Sequence, residues 1–175
     1  MIKTHTHTLS LSSTALILSL LGGVIAVQPI TSHAATATAN ASVTILAPVT
    51  ITKTADLVFG AVAPTTSAGT VVMSAAGART GTNVTLSSTA TGNAAAFNLS
   101  GNANSTFSVT LPSSTTLTGP GSSMMVNAFT SSPSSTGTFN GSGTATLTVG
   151  ATLAVGANQA AGAYTGTFSV TVDYN

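Results

Sequence analysis

Side chains that could carry out acid–base, nucleophilic or metal chemistry are scarce in this sequence. Its 175 residues include three Lys or Arg, two Asp and three His, with no Glu and no Cys. The three histidines and one of the lysines lie within the first 34 residues. Beyond residue 34, the charged side chains are Lys53, Asp56, Arg79 and Asp173, so positive and negative charges balance.

This inventory excludes several classes of function. General acid–base catalysis usually needs a histidine or paired carboxylates, and a nucleophilic Ser or Thr needs an adjacent base. Zinc sites need His or Cys ligands, and calcium sites need several carboxylates. A nucleic-acid interface needs a patch of basic side chains. The sequence therefore predicts that the protein is not an enzyme, has no catalytic, cofactor or metal site, and has no nucleic-acid partner.

The N-terminal region has the features of a secretory signal peptide. Lys3 gives a weakly positive start, an apolar run covers residues 15–27, and small residues occupy positions Ser32 and Ala34. This order is typical of a signal that is cleaved after the second small residue. The apolar run is shorter than the roughly 20 residues that a membrane-spanning helix needs. We therefore expect residues 1–34 to be a signal peptide, the product to be secreted, and no membrane span to remain after cleavage.

The rest of the chain alternates between apolar and polar residues. Short alternating runs such as "SVTILAPVTIT" (42–52) and "TFSVTLP" (106–112) are separated by segments rich in Gly, Asn, Ser and Pro. Alternation between turn segments is typical of half-buried β-strands. We expect an all-β domain over residues 48–175, built as an antiparallel, immunoglobulin-like β-sandwich of eight to ten strands.

Two short segments add detail to this picture. "DLVFG" (56–60) places two apolar residues on one face before a glycine, which predicts the end of a core strand. "ATLTVG" (145–150) is followed directly by "ATLAVG" (151–156). This repeat favours one long kinked strand or a hairpin around Gly150, and the alternative is a β-helix with a period of six.

The segment from residue 35 to residue 47 has its own two-residue period. In "ATATANASVTIL" every second residue is apolar, but only Val43 and Ile45 are large. Two interpretations stand: a floppy terminus rich in Ala and Thr, or a spare strand that pairs with an exposed sheet edge of a neighbouring molecule. In the second, Val43 and Ile45 are the anchors of this N-terminal extension.

The closing segment, "GAYTGTFSVTVDYN" (162–175), is the most regular strand pattern in the chain. One face carries large apolar or aromatic side chains, those of Tyr164, Phe168, Val170, Val172 and Tyr174. The pattern resembles the C-terminus of chaperone–usher pilins, in which an alternating strand ends on a penultimate aromatic residue and a glycine lies fourteen residues from the end. Tyr174 and Gly162 occupy those two positions. An ordinary edge strand would show the same alternation.

The pilin resemblance implies how such a strand would be used. In those pilins the closing strand borders a groove left by a missing final strand, which an assembly chaperone holds until a neighbour's N-terminal extension replaces it. For this chain the resemblance implies a periplasmic chaperone, an outer-membrane usher, and self-assembly or assembly with related subunits. The expected location is the periplasm and then the cell surface or the extracellular space.

A wider resemblance covers most of the chain. The stretches "ITKTADLVFGAVAP" (51–64), "AAAFNLSGNANSTFSVTLP" (94–112) and "LTVGATLAVGANQAAGAYTGTFSVTVDYN" (147–175) resemble a family of bacterial secreted proteins, the domain of unknown function 4402. That family implies a fold and a location but no activity. Spore-coat-U-like pilins look similar but often carry cysteines, which this sequence lacks.

Two hypotheses follow from these patterns. In the first, the protein is a structural, pilin-like subunit of a cell-surface fibre or coat that assembles by β-strand donation. Its assembly interface would comprise Val43, Ile45, Gly162, Tyr164, Phe168, Val170, Val172 and Tyr174. In the second, it is a monomeric secreted sandwich that binds or adheres through the long loops at 113–123 and 131–141.

Overall fold

A computed structural model of the protein describes residues 34–175. The chain divides into two units, Met1–Ser42 and Val43–Asn175. Within the first unit the described residues, 34–42, are exposed and contain no strand. The predicted signal peptide lies outside the described residues except for Ala34. No helix in the described part of the chain is long and apolar enough to cross a membrane.

The second unit is built from twelve strands, and residues 34–175 contain no helix. The strands are β1 (Thr50–Ala55), β2 (Val62–Pro64), β3 (Gly69–Met73), β4 (Arg79–Thr82), β5 (Val84–Leu86), β6 (Ala95–Ser100), β7 (Thr106–Thr110), β8 (Ser114–Leu117), β9 (Met124–Ser132), β10 (Thr136–Thr138), β11 (Thr144–Val155) and β12 (Thr171–Tyr174). Every strand pair is antiparallel. The predicted all-β, antiparallel class is confirmed.

The strands form one large sheet and two small ones. The large sheet has seven strands, in the order β1-β6-β11-β3-β4, with β9 also paired to β11 and β8 paired to β9, and it curls into a half-barrel. A three-stranded sheet has the order β10-β7-β12, and β2 pairs with β5. β1 and β12 therefore each lie at the edge of a sheet.

The long strand β11 organises the large sheet. Its first half pairs with β6 and its second half with β3, and the change of partner falls at Gly150. A side chain at Gly150 would overlap the carbonyl oxygen of Met73, so glycine allows the close approach. The register with β9 also shifts between Gly150 and Thr152. The repeat at 145–156 thus forms one strand, not a hairpin or a β-helix.

Two hydrophobic clusters stabilise the unit. The first joins β3, β9 and the second half of β11 with Phe59. The second brings β6 and the first half of β11 against β7, β12 and Phe139, so side chains of the three-stranded sheet pack on the large sheet. The rings of Phe107 and Phe139 lie 4.8 Å apart at its centre. Each large apolar side chain buried here contributes about 1.5–3 kcal/mol.

The strand count exceeds the eight to ten predicted. β2, β4, β8 and β10 have three or four residues each and consist largely of Thr, Ser, Gly, Ala and Pro. Such segments carry little hydrophobic periodicity, because backbone pairing with a neighbouring strand, not burial of their own side chains, makes them strands.

Candidate functional site

The closing segment pairs with the rest of the unit in two places. β12 pairs with β7, with Val172 opposite Val109. Further back along the chain, Thr165 bridges Thr118, with both backbone hydrogen bonds at 2.9 Å. Residues 166–170 between these places belong to no strand. The single long strand predicted for the segment is therefore interrupted.

Local contacts explain the interruption. The Thr115 hydroxyl donates a hydrogen bond to the carbonyl oxygen of Thr167 at 2.6 Å, where a backbone amide would donate in a regular ladder. Gly166 lies so close to the carbonyl oxygen of Thr116 that a side chain there would overlap it. The segment thus follows β8 closely along one edge without forming a full ladder.

The predicted apolar face of the closing segment packs on the core. Val172 is buried, and the others are half-buried: Tyr164 against the first cluster, and Phe168, Val170 and Tyr174 against the second. The rings of Phe168 and Phe129 lie 5.1 Å apart. The structure therefore brings these five predicted residues onto one side of the segment.

The two tyrosine hydroxyls hold the segment in place. Tyr164 accepts hydrogen bonds from the amide of Gly121 at 3.0 Å and from Gln159 Nε2 at 2.8 Å, and donates to the carbonyl oxygen of Ala160 at 3.0 Å. Gly162, predicted as a site residue, has a φ of 144°. A Cβ added to this glycine would lie only 2.5 Å from Pro120 Cγ. Glycine tolerates that backbone conformation and that approach.

Tyr174 makes the second set of contacts. Its hydroxyl accepts a hydrogen bond from the amide of Asn102 at 2.5 Å and donates one to the carbonyl oxygen of Ala47 at 2.6 Å. Ala47 is the last residue of the predicted N-terminal extension. The extension thus leaves the domain from a point fixed against β12.

Val43 and Ile45, the predicted donor anchors, do not pack on the domain. Their exposed fractions are 82% and 83%, and residues 35–47 contain no strand. These anchors therefore lie apart from the core-facing residues of the closing segment.

An apolar cleft of about 840 Å³ lies beside the closing segment. Two chain segments form its walls: residues 53–64 form the first wall, and residues 159–168 form the second wall. Core side chains form its floor: Leu117, Met124, Val126, Leu153 and Val155. The cleft thus opens directly onto the first hydrophobic cluster.

Each wall uses only one of its two backbone edges. In the first wall, β1 pairs with β6, Val58 bridges Asn93, and β2 pairs with β5. In the closing segment, Thr165 pairs next to β8 and β12 pairs with β7. Within residues 34–175 no strand pairs with the remaining edge of either β1 or β12. β1 lines the cleft through Lys53 and Ala55, whereas β12 begins at Thr171, after the second wall ends at Phe168.

The core-facing side of β1 is also left uncovered. Ile51 lies opposite Leu99 in the ladder, so both side chains point to the same face of the sheet. Leu99 is only 2% exposed, whereas Ile51 is 38% exposed. The three-stranded sheet covers β6 and leaves its neighbour β1 open.

Charge in the cleft is confined to one ion pair. Lys53 Nζ lies 2.5 Å from Asp56 Oδ1, and both residues line the cleft. Arg79 stabilises the first wall through three hydrogen bonds to backbone carbonyl oxygens. Its Nη1 donates to those of Phe59 at 2.8 Å and Ala90 at 3.2 Å, and its Nη2 donates to that of Ser87. In the described part of the chain no group of three or more His, Cys, Asp or Glu residues could hold a metal ion.

Sequence reasoning did not identify the first wall as part of a site. The prediction that "DLVFG" ends a core strand is only partly right: residues 56–60 lie between β1 and β2 outside any strand, while Phe59 is 8% exposed and belongs to the first cluster. The signal that could have found the wall is Gly60, whose φ of 74° turns the chain between β1 and β2.

Comparison with known proteins gives one match. The model of the family described as "Domain of unknown function (DUF4402)" matches residues 49–174. No curated protein and no solved structure matches the chain. The match spans the strands, the cleft and nearly all of the closing segment, and the chain belongs to the DUF4402 family.

Proposed function

We propose that the protein is a structural subunit of a cell-surface fibre or coat, and that its cleft accepts a β-strand from a neighbouring copy. The observation that carries the proposal is the exposed Ile51 on β1, a strand whose outer edge is free. A strand inserted between β1 and the closing segment would pair with both edges and cover this side chain. Main-chain hydrogen bonds would give affinity, and alternate side chains would fill the cleft.

In this proposal the domain is an immunoglobulin-like sandwich that lacks one strand, as in pilins. The packing of β7 and β12 on the large sheet supports the sandwich. The edge position of β12 supports a missing neighbour, since a complete sandwich would cover the core-facing side of β1.

The donor is the N-terminal extension, residues 35–47. It contains no charged residue, and Val43 and Ile45 are almost fully exposed in the single chain. Burying each of them in an apolar cleft would contribute about 1.5–3 kcal/mol. The extension therefore suits the cleft chemically and is available for pairing.

The predicted signal peptide supports a secretory route for the subunit, through the periplasm to the surface. An exposed strand edge invites uncontrolled pairing, so a periplasmic chaperone that covers the cleft and an usher that delivers the subunit fit this proposal. The proposed role is structural, and the scarcity of titratable side chains in the sequence supports it over general acid–base catalysis.

A second candidate function is a monomeric secreted module for binding or adhesion. The cleft volume of about 840 Å³ favours it, because clefts of roughly 300–1,000 Å³ commonly hold small ligands. In that case the cleft stays open to a ligand, and no strand enters it.

Assembly of two purified chains distinguishes these functions. Residues 35–175 should form oligomers whose size grows with concentration, and a chain starting at Pro48 should stay monomeric in size-exclusion chromatography. Val43→Asp with Ile45→Asp should abolish assembly of the longer chain. Ser42→Asp with Thr44→Asp, which adds the same charge on the other face of the extension, should weaken it far less. Monomers from both lengths would contradict strand donation and favour the binding module.

A further inference from the structure

Lys53 occupies an unusual position for a charged residue. In the ladder between β1 and β6 it lies opposite Phe97, and Ile51 lies opposite Leu99. Opposed residues in an antiparallel pair project to the same face. Lys53 is therefore a lysine on the core-facing side of an edge strand, a device that blunts indiscriminate pairing at sheet edges.

The surroundings of Lys53 place its stem in the cleft and its charge at the rim. The residue lines the cleft together with Leu57 and Phe97. Its ammonium group meets Asp56, and the two side chains are 58% and 69% exposed. A lysine can bury its methylene stem along apolar surface while the charged head stays in water. The stem thus takes up space in which a bulky side chain would otherwise fit.

The N-terminal extension matches this shape. In an inserted strand, the positions that alternate with Val43 and Ile45 would face the core, and those at residues 37, 39 and 41 carry alanine. Small uncharged residues can lie over a lysine stem, and the larger pair can fill the apolar region above Leu153 and Val155. Alanine side chains fill an empty groove poorly. They do fit a groove in which a lysine stem already takes up part of the space.

We propose that Lys53 is the specificity-determining residue of the cleft. It restricts the accepted strand to one that places small, uncharged residues beside Lys53, as residues 35–47 of a second copy would. This inference rests on the proposed strand donation. A strand with a positive charge facing Lys53 would be rejected, since opposing like charges in an interface are strongly unfavourable.

The test measures peptide binding to an acceptor chain, residues 35–175 carrying Val43→Asp and Ile45→Asp. Both substituted positions are almost fully exposed, so they disable the chain's own donor without disturbing the core. Fluorescent peptides of residues 35–47 are titrated, unmodified or with lysine replacing Ala37, Ala39 or Ala41 singly. The matched control peptide carries Thr38→Lys, which adds the same charge on the opposite face. Each is repeated with an acceptor that also carries Lys53→Met, which keeps the stem and removes the charge.

The expected result is a tenfold or larger loss of affinity for at least one alanine-to-lysine peptide with Lys53 present, reduced to threefold or less with Lys53→Met. The Thr38→Lys peptide should bind the two acceptors alike. An equal loss with both acceptors would overturn the role of Lys53 and leave strand donation standing. If neither acceptor binds the unmodified peptide, strand donation itself is wrong, and the role of Lys53 with it.

Discussion

The hydroxyl of Tyr174 donates a hydrogen bond to the carbonyl oxygen of Ala47, and the oxygens lie 2.6 Å apart. One bond thus joins β12 to the residue at which the N-terminal extension leaves the domain. The same hydroxyl accepts from the amide of Asn102 at 2.5 Å. Tyr174 therefore links three segments that are remote in sequence.

Replacing Tyr174 with Phe should lower the free energy of unfolding by about 1–3 kcal/mol, because a backbone donor and a backbone acceptor lose their partner. Urea unfolding followed by circular dichroism measures the change. Thr66→Ala, which removes an exposed hydroxyl in a loop, should shift the midpoint much less. A Tyr174→Phe midpoint equal to that of the wild type would show that the hydroxyl does not hold the extension.

Replacing Gly166 with Ala should destabilise the closing segment. The added Cβ would overlap the carbonyl oxygen of Thr116, and relieving such a clash typically costs about 1–3 kcal/mol. Gly141→Ala is the matched control, because a Cβ there meets no atom within 4 Å. Equal unfolding midpoints for the two variants would argue against the close approach of the segment to β8.

Replacing Arg79 with Met should lower the free energy of unfolding by about 1.5–3 kcal/mol, since three backbone carbonyls lose a charged donor. Lys53→Met provides the comparison. It breaks an exposed ion pair, which is worth at most about 1 kcal/mol. If the two midpoints shift equally in urea, Arg79 does not hold the first wall.

Replacing Ile51 with Asn should separate folding from assembly. Ile51 is 38% exposed in the single chain, so the unfolding midpoint should change little, whereas oligomers of residues 35–175 should weaken at least tenfold. Thr52→Asn, on the opposite face of β1, should assemble like the wild type. Normal assembly by Ile51→Asn in sedimentation velocity would mean that no strand covers this side chain.

The sequence was sufficient to predict the all-β class and the side of the closing segment that faces the core. Alternation carries that information directly, because Phe168, Val170 and Val172 project to one face of any extended segment. The same rule predicts that Ile51 is buried like Leu99, and here it fails. Burial of Ile51 depends on whether the opposite sheet extends far enough to cover β1, which local sequence does not encode.

The cleft could not be predicted for a related reason. Its first wall depends on the turn at Gly60 and on Arg79, which is remote in sequence yet bonds to Phe59. The break in the closing strand depends on a side-chain hydrogen bond from Thr115 to Thr167. These contacts join residues that are remote in sequence, so the hydrophobic periodicity of either segment does not predict them.

Hydrogen–deuterium exchange along β1 and along residues 166–170, the two edges between which the strand would insert, tests strand insertion most directly. The acceptor chain, residues 35–175 with Val43→Asp and Ile45→Asp, is measured alone and with saturating peptide 35–47. Backbone amides of residues 166–170 and of β1 should exchange at least tenfold more slowly with the peptide, and the peptide carrying the same two aspartates should have no effect. Unchanged exchange at both edges with saturating peptide would contradict the insertion of a strand into the cleft.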